Sequence, residues 1–97
     1  MRYELKYLPA AKRDIASLAE ILSPHKQLGA RFFRELEQKL ELLRDNPLMC
    51  PVFHTKPKYR CMNLKNHVLL YTEDEQQQEI QVFRIVYAKR DIEGLVR

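Results

Sequence analysis

The side chains of this 97-residue chain that are best suited to chemistry lie near its C-terminal end. They are Arg60, Arg84 and Tyr87, followed by the basic residues Lys89 and Arg90. A guanidinium group binds phosphate or carboxylate through several hydrogen bonds at once, and a tyrosine hydroxyl beside it could supply a proton. The set therefore indicates a cationic patch for an acidic partner, either nucleic acid or protein.

Each of these side chains also has a structural interpretation. Arg60 and Arg84 could be solvated edge charges or could form salt bridges with Glu79 or Asp91. Tyr87 could be a core aromatic whose hydroxyl reaches solvent. A charge on a mostly apolar strand face is unusual, which favours a functional role for Arg84. The apolar residues that alternate with it are Ile80, Val82 and Val86.

The histidines and cysteines give weaker signals. His67 could act as a base, but its place after a predicted turn favours backbone hydrogen bonding. His25 and His54 fall in predicted loops with no carboxylate or cysteine nearby in sequence. Cys50 and Cys61 lack the paired spacing of a zinc site, so we expect no metal and two reduced, partly buried thiols. A disulfide between them stays open as an alternative.

The length and composition indicate a single domain that spans residues 1–97. Apolar residues make up 45% of the chain and charged residues 31%, as in ordinary globular proteins. The formal net charge of +4 favours an acidic partner. No apolar run approaches the roughly 18 residues of a membrane helix, and no signal-peptide core follows the first residues. These features predict a cytoplasmic protein without a membrane partner.

The N-terminal half predicts one strand and two helices. Residues 2–8 alternate as a strand does. From Pro9, apolar residues recur at helical spacing until Ser23-Pro24 stops the pattern. A second helix is predicted from about Lys26 to Arg44, and the short connection makes the two an antiparallel hairpin. The stripe of the second helix is predicted to be core: Leu28, Phe32, Leu36, Leu40 and Leu43.

The C-terminal half predicts three strands after an irregular segment. Pro47, Pro51 and Pro57 keep the chain irregular as far as Lys58. The β-rich runs are residues 59–64, 67–72 and 80–87, separated by a tight turn at 65–66 and a polar loop at 73–79. Both faces of this antiparallel meander are apolar, so we expect the helices on one face. The C-terminal segment at Ile92, Leu95 and Val96, a short helix or tail, or a partner in its place, would cover the other.

The predicted fold is α+β: an N-terminal strand, an antiparallel two-helix hairpin, and a three-stranded antiparallel meander that the first strand joins in one sheet. Its motifs, in chain order, are residues 11–15 (Ala-Lys-Arg-Asp-Ile), Asn46-Pro47, Tyr59-Arg60, residues 66–71 (Asn-His-Val-Leu-Leu-Tyr) and residues 84–91 (Arg-Ile-Val-Tyr-Ala-Lys-Arg-Asp). In this order the chain resembles the RelE/ParE superfamily of toxins from bacterial type II toxin–antitoxin systems. The resemblance implies growth arrest, plasmid stabilization, no cofactor, and a cognate antitoxin encoded beside the toxin.

Two branches of that superfamily differ in their target. RelE-like members cut mRNA on the ribosome, whereas ParE-like members inhibit DNA gyrase. Val68 and Met62 stand where RelE-like nucleases commonly carry an arginine and a lysine, and an apolar side chain cannot stabilise a phosphorane. The chain is therefore closer to the ParE-like branch, which makes it a gyrase inhibitor acting by protein–protein contact rather than an enzyme.

Two alternatives remain. The first is a metal-independent, ribosome-dependent endoribonuclease that uses Arg60, Arg84 and Tyr87 with Lys56 or Lys58 assisting. The second is a non-toxic basic binding domain. Under the gyrase hypothesis the residues expected to bind the target or the antitoxin are Arg60, Arg84, Tyr87, Lys89 and Arg90.

Overall fold

Two helices and five strands are present in the computed structural model, which describes residues 2–89. Their bounds are β1 (Glu4–Tyr7), α1 (Pro9–Leu22), α2 (Lys26–Asp45), β2 (Val52–Phe53), β3 (Lys56–Asn63), β4 (His67–Asp74) and β5 (Glu79–Tyr87). Both helices begin and end within a residue of the positions predicted from the sequence. The predicted C-terminal helix or tail, including Ile92, Leu95 and Val96, lies outside the described residues.

The strands form one mixed sheet in the order β1-β5-β4-β3-β2. β2 to β5 pair antiparallel, and β1 runs parallel to β5. The predicted meander is confirmed, but the prediction missed β2 and did not foresee that the sheet is mixed. The sequence predicted an irregular segment here because of its prolines, but an edge strand such as β2 can directly follow Pro51. The polar loop is also shorter than predicted, since β4 continues to Asp74 and β5 starts at Glu79.

The helical hairpin covers one face of the sheet and encloses the main core with it. Leu36, Leu40 and Leu43 of α2 are buried as predicted, and each such burial contributes roughly 1.5–3 kcal/mol. Leu28 is an exception at 50% exposure, because it lies in the first turn of α2 near the hairpin tip. The sheet residues of this core are Met62, Leu69, Tyr71, Ile80, Val82 and Ile85. Neither helix is long and apolar enough to cross a membrane, as far as residues 2–89 are concerned.

A β-bulge at Phe83 breaks the alternation of β5. Leu70 pairs with Arg84, but the next residue of β4, Tyr71, pairs with Val82, so Phe83 is an extra residue. Ile80, Val82 and Ile85 therefore share the helix-covered core, and the predicted strand face that grouped Arg84 with Ile80 and Val82 is interrupted. Phe83 packs instead in a second apolar cluster. The other members of that cluster are Val68, Leu70, Phe53, Tyr59 and Cys61.

Candidate functional site

Arg84 forms the most complete ion pair of the described residues. Its Nε lies 2.7 Å from Oδ2 of Asp14, and its Nη2 lies 3.0 Å from Oδ1. Oδ2 also accepts a hydrogen bond of 2.9 Å from the backbone N–H of Ile85. The Asp14 carboxylate raises the pKa of the Arg84 guanidinium. The charge of Arg84 is thus directed into the molecule, toward a partner that is neither Glu79 nor Asp91.

The position of Asp14 explains this pairing. β1 ends at Tyr7, and the N–H of Leu8 makes the last main-chain contact to the carbonyl of Val82. Beyond that point β5 has lost its neighbour on this side, and the first turns of α1 pass beside it. The Asp14 carboxylate lies where the next strand residue would be and accepts a hydrogen bond from the N–H of Ile85. Without it this N–H would have no partner, because β1 does not extend that far.

Arg60 lies on β3, two strands away from Arg84. Its Nη1 donates a hydrogen bond of 2.7 Å to the carbonyl of Cys50, and its Nε lies 3.2 Å from Oε1 of Glu73. The second contact is an ion pair without hydrogen-bond alignment: Arg60 Nε and Glu73 Oε2 are buried atoms for which residues 2–89 provide no hydrogen-bond partner. Arg60 pairs with Tyr71 across β3 and β4, so it lies on the helix-covered side of the sheet.

The structure does not bring the two arginines together. β4 separates the strands that carry them, and each guanidinium faces its own carboxylate. Val68 and Met62, which the sequence placed where a nuclease would carry cations, are both buried, Val68 in the second cluster and Met62 in the main core.

Tyr87 lies at the end of β5 and is half exposed. Its ring centroid lies 5.7 Å from that of His67, and the His67 ring lies 5.2 Å from Phe32 of α2. Burial lowers the pKa of His67. Beside these rings a pocket of about 220 Å³ opens between the hairpin tip and the β3–β4 turn, and both apolar residues, such as Leu28, and polar residues line it. Lys89 is exposed just beyond Tyr87, and Arg90 lies outside the described residues.

Lys58, one of the lysines predicted to assist cleavage, lies beside a stacked aromatic pair. The rings of Tyr59 and Phe83 stack with centroids 5.0 Å apart, and Nζ of Lys58 lies 5.6 Å from the Tyr59 centroid. Lys56 and Lys58 are exposed and form no ion pair with any described residue. His54 is stacked on Phe53 nearby in the chain.

A groove of about 380 Å³ runs between the two helices at the β1 edge of the sheet. Its walls are apolar, and two carboxylates, Glu37 and Glu41, lie at its rim. Glu41 is paired with Arg2 and Arg44. The apolar lining consists of Leu5, Tyr7, Ile15, Phe33, Leu36 and Leu40.

The cysteines and histidines of residues 2–89 do not form a metal-binding cluster. Cys50 and Cys61 are free thiols, the first buried and the second partly buried, and burial raises the pKa of Cys61. No three side chains of the metal-ligating types cluster anywhere between residues 2 and 89. His25 and His54 are exposed, as their predicted loop positions suggested.

Asp14 and Glu73 are the residues that the sequence interpretation missed. Asp14 stands three residues after Ala11 and four before Leu18, so it lies on the buried stripe of α1. A carboxylate on an apolar stripe is the signal that could have revealed it. Glu73 gave no such signal, because it falls in a polar run that predicted a loop.

Comparisons with known proteins agree with this architecture. The chain resembles the toxin–antitoxin complex RelBE2 of Mycobacterium tuberculosis with a TM-score of 0.67 and 18% identity, over 90% of this chain and 99% of that one. It resembles the chromosomal ParDE toxin–antitoxin system of P. aeruginosa with a TM-score of 0.72 and 14% identity, over 91% and 98%. No curated protein matches the chain. The family model described as the ParE toxin of the type II toxin–antitoxin system parDE matches residues 5–92. The chain therefore belongs to the ParE toxin family of type II toxin–antitoxin systems.

Proposed function

We propose that this toxin arrests growth by inhibiting DNA gyrase through protein–protein contact. It acts in the cytoplasm after release from an antitoxin that is encoded beside it. In this role the chain catalyses no reaction and needs neither a metal nor a cofactor.

The main support for the proposal is that both Arg60 and Arg84 are already bound by groups of the protein itself. Phosphodiester cleavage through the 2′-hydroxyl needs cations that are free to meet the developing charge. Arg84 is bound bidentately by Asp14, and Arg60 is engaged by Glu73 and a backbone carbonyl. The positions of Val68 and Met62 are apolar and buried. Membership of the ParE toxin family supports the same conclusion.

The antitoxin is proposed to occupy the groove between the helices. The two solved structures that resemble this chain are toxin–antitoxin systems, which supports a cognate antitoxin here as well. An amphipathic segment would bury the apolar walls of the groove. Acidic side chains of the antitoxin that extend beyond the Glu37 and Glu41 rim would pair with basic residues elsewhere on a chain of charge +4.

Cleavage of ribosome-bound mRNA is the second candidate, favoured by the stacked pair Tyr59 and Phe83 with Lys58 beside it. Aromatic rings next to a free cation are a common platform for single-stranded nucleic acid. Tyr87 would then be the group that supplies a proton.

A paired assay on the purified toxin, freed of its antitoxin, tests both candidates. We expect half-maximal inhibition of gyrase supercoiling at a stoichiometry near one toxin per target and intact mRNA in a translating extract. Unimpeded supercoiling at a large excess of toxin would refute the gyrase proposal. The variant Tyr87→Phe removes only a hydroxyl, so growth arrest should persist. Loss of growth arrest in this variant, together with mRNA cleavage by the wild type but not by the variant, would establish the nuclease instead.

A further inference from the structure

The segment between α2 and β3 presents apolar side chains to solvent. We call residues 46–53 the proline loop, after Pro47 and Pro51. Within it Leu48 is 51% exposed, Met49 46% and Val52 44%. Three large apolar residues exposed within five positions form a patch of the kind that marks interaction sites, whereas single exposed apolar residues are ordinary.

The backbone of this loop is fastened from beneath. The hydroxyl of the fully buried Tyr71 donates to the carbonyl of Pro47 at 2.9 Å. Arg60 donates to the carbonyl of Cys50 at 2.7 Å, and the N–H of Cys61 donates to the carbonyl of Pro51 at 3.0 Å. Core groups thus fix three carbonyls of the loop while its apolar side chains point outward. A surface held in one conformation loses little entropy on binding, which is how binding sites are preorganised.

The free charge around the proline loop is positive, because the two flanking carboxylates, Asp45 and Glu73, are paired with Arg2 and Arg60. No aspartate or glutamate occurs from residue 46 to residue 72. Lys56 and Lys58 are exposed at the start of β3, next to β2, and have no ion-pair partner among residues 2–89. Phe53 of the loop pairs directly with Lys56. The patch is therefore apolar at its centre and cationic at its rim, and it complements an acidic protein surface that carries apolar side chains.

This patch is separate from the groove between the helices. The groove lies at β1, whereas the proline loop ends in β2 at the opposite edge of the sheet. Four strand spacings separate these edges, roughly 19 Å. Carboxylates line the rim of the groove, whereas none occurs within the loop or in β3 after it. The chain thus has two apolar surfaces that differ in charge, and each could bind a different partner.

We infer that the proline loop, with Lys56 and Lys58, is the surface that contacts the target protein, while the antitoxin occupies the other edge. The inference rests on the proposed function, under which that target is DNA gyrase. The target would present an acidic surface whose apolar side chains pack on Leu48, Met49 and Val52.

Two variants of the full-length toxin test this surface. Leu48→Ser with Met49→Ser removes the apolar centre, and Lys56→Glu with Lys58→Glu reverses the rim. All four side chains are exposed, so melting temperatures should stay near that of the wild type. The matched control is Ile21→Ser with Lys12→Glu, an exposed apolar residue and an exposed lysine on α1. Each is measured for gyrase inhibition, for growth arrest on induction and for antitoxin affinity.

We expect each loop variant to need at least about tenfold more toxin for half-inhibition, with antitoxin affinity unchanged and the control equal to the wild type. The effect of the charge reversal should shrink as salt is raised. If the wild type arrests growth without inhibiting gyrase and the loop variants do not arrest growth, the gyrase proposal fails and the surface stands. If loop variants arrest growth as the wild type does, or if they lose only antitoxin binding, the inference is overturned. If the wild type neither arrests growth nor inhibits gyrase, both the proposed function and the inference about the proline loop are overturned.

Discussion

The two edges of the sheet are stabilised in different ways. At the β1 edge, ion pairs stabilise the structure: Asp14 binds Arg84 and also accepts the N–H of Ile85, and Glu79 binds Lys6. At the β2 edge, core donors bind main-chain carbonyls of the proline loop. The first edge therefore depends on ionisation, and the second depends on a small number of hydrogen bonds that orient a loop.

This difference shows how one residue type serves two purposes in one sheet. Arg84 closes a gap where a strand ends, and all the contacts of its pair are well aligned. Arg60 orients the backbone of a loop, and its ion pair with Glu73 leaves two buried atoms without hydrogen bonds. Removing the first arginine should mainly affect stability, whereas removing the second should mainly affect the conformation of the loop.

The largest effect is expected at the Asp14–Arg84 pair. Arg84→Met should lower the free energy of unfolding by roughly 3 kcal/mol, because it leaves a partly buried carboxylate without its partner. Chemical denaturation of purified protein measures this change. Asp14→Asn with Arg84→Met serves as control: the double variant should recover part of the loss, since it removes the uncompensated charge. A loss below about 0.5 kcal/mol for Arg84→Met would show that the pair behaves as a solvated surface salt bridge.

A smaller effect is expected at Arg60. Arg60→Met should cost about 2 kcal/mol, because one charge-assisted hydrogen bond to the Cys50 carbonyl is lost while the ion pair with Glu73 is already imperfect. Hydrogen exchange at the N–H of Cys61, which binds the Pro51 carbonyl, should accelerate more than exchange at the N–H of Ile85. Equal acceleration at both amides would contradict the view that Arg60 acts on the proline loop alone.

Much of this fold could be predicted from the sequence, because the spacing of apolar residues and the positions of turn residues indicate helices and hairpins locally. The spacing of Leu36, Leu40 and Leu43 defined α2, and the stop at Ser23-Pro24 ended α1. The prediction failed where distant residues determine the outcome. The bulge at Phe83 depends on pairing with β4.

The pairing of the arginines with their carboxylates could not be predicted from local sequence patterns either. Asp14 and Arg84 stand 70 residues apart, and no periodicity in either element relates them. The direction of β1 was also undetermined, since an alternating run of residues reads the same for parallel and antiparallel pairing. Arg60 and Arg84 could therefore be recognised as unusual cations, and Asp14 as an unusual carboxylate on an apolar stripe, but the sequence could not show which carboxylate pairs with which arginine.

The smallest effect concerns Glu79 and Lys6 at the β1 edge. The Glu79 carboxylate is buried, accepts a hydrogen bond of 2.9 Å from Gln81 and lies 3.0 Å from Nζ of the exposed Lys6. The bond from Gln81, followed by the ammonium of Lys6, lowers the pKa of Glu79 below its ordinary value of 4.5. Because the folded-state pKa is the lower one, the stabilisation is complete above pH 4.5 and is lost as the pH falls through the folded-state pKa.

Thermal melts of the wild type and Glu79→Gln from pH 7 to pH 3 measure this contribution. The difference in melting temperature should be constant above pH 5 and should shrink below pH 4.5, because the amide cannot titrate. Lys6→Met should give a smaller difference that also weakens with added salt, as expected for a pair with one exposed partner. If the Glu79→Gln difference stays constant through pH 3, ionisation does not contribute at this position, and the charged character of the β1 edge rests on Asp14 and Arg84 alone.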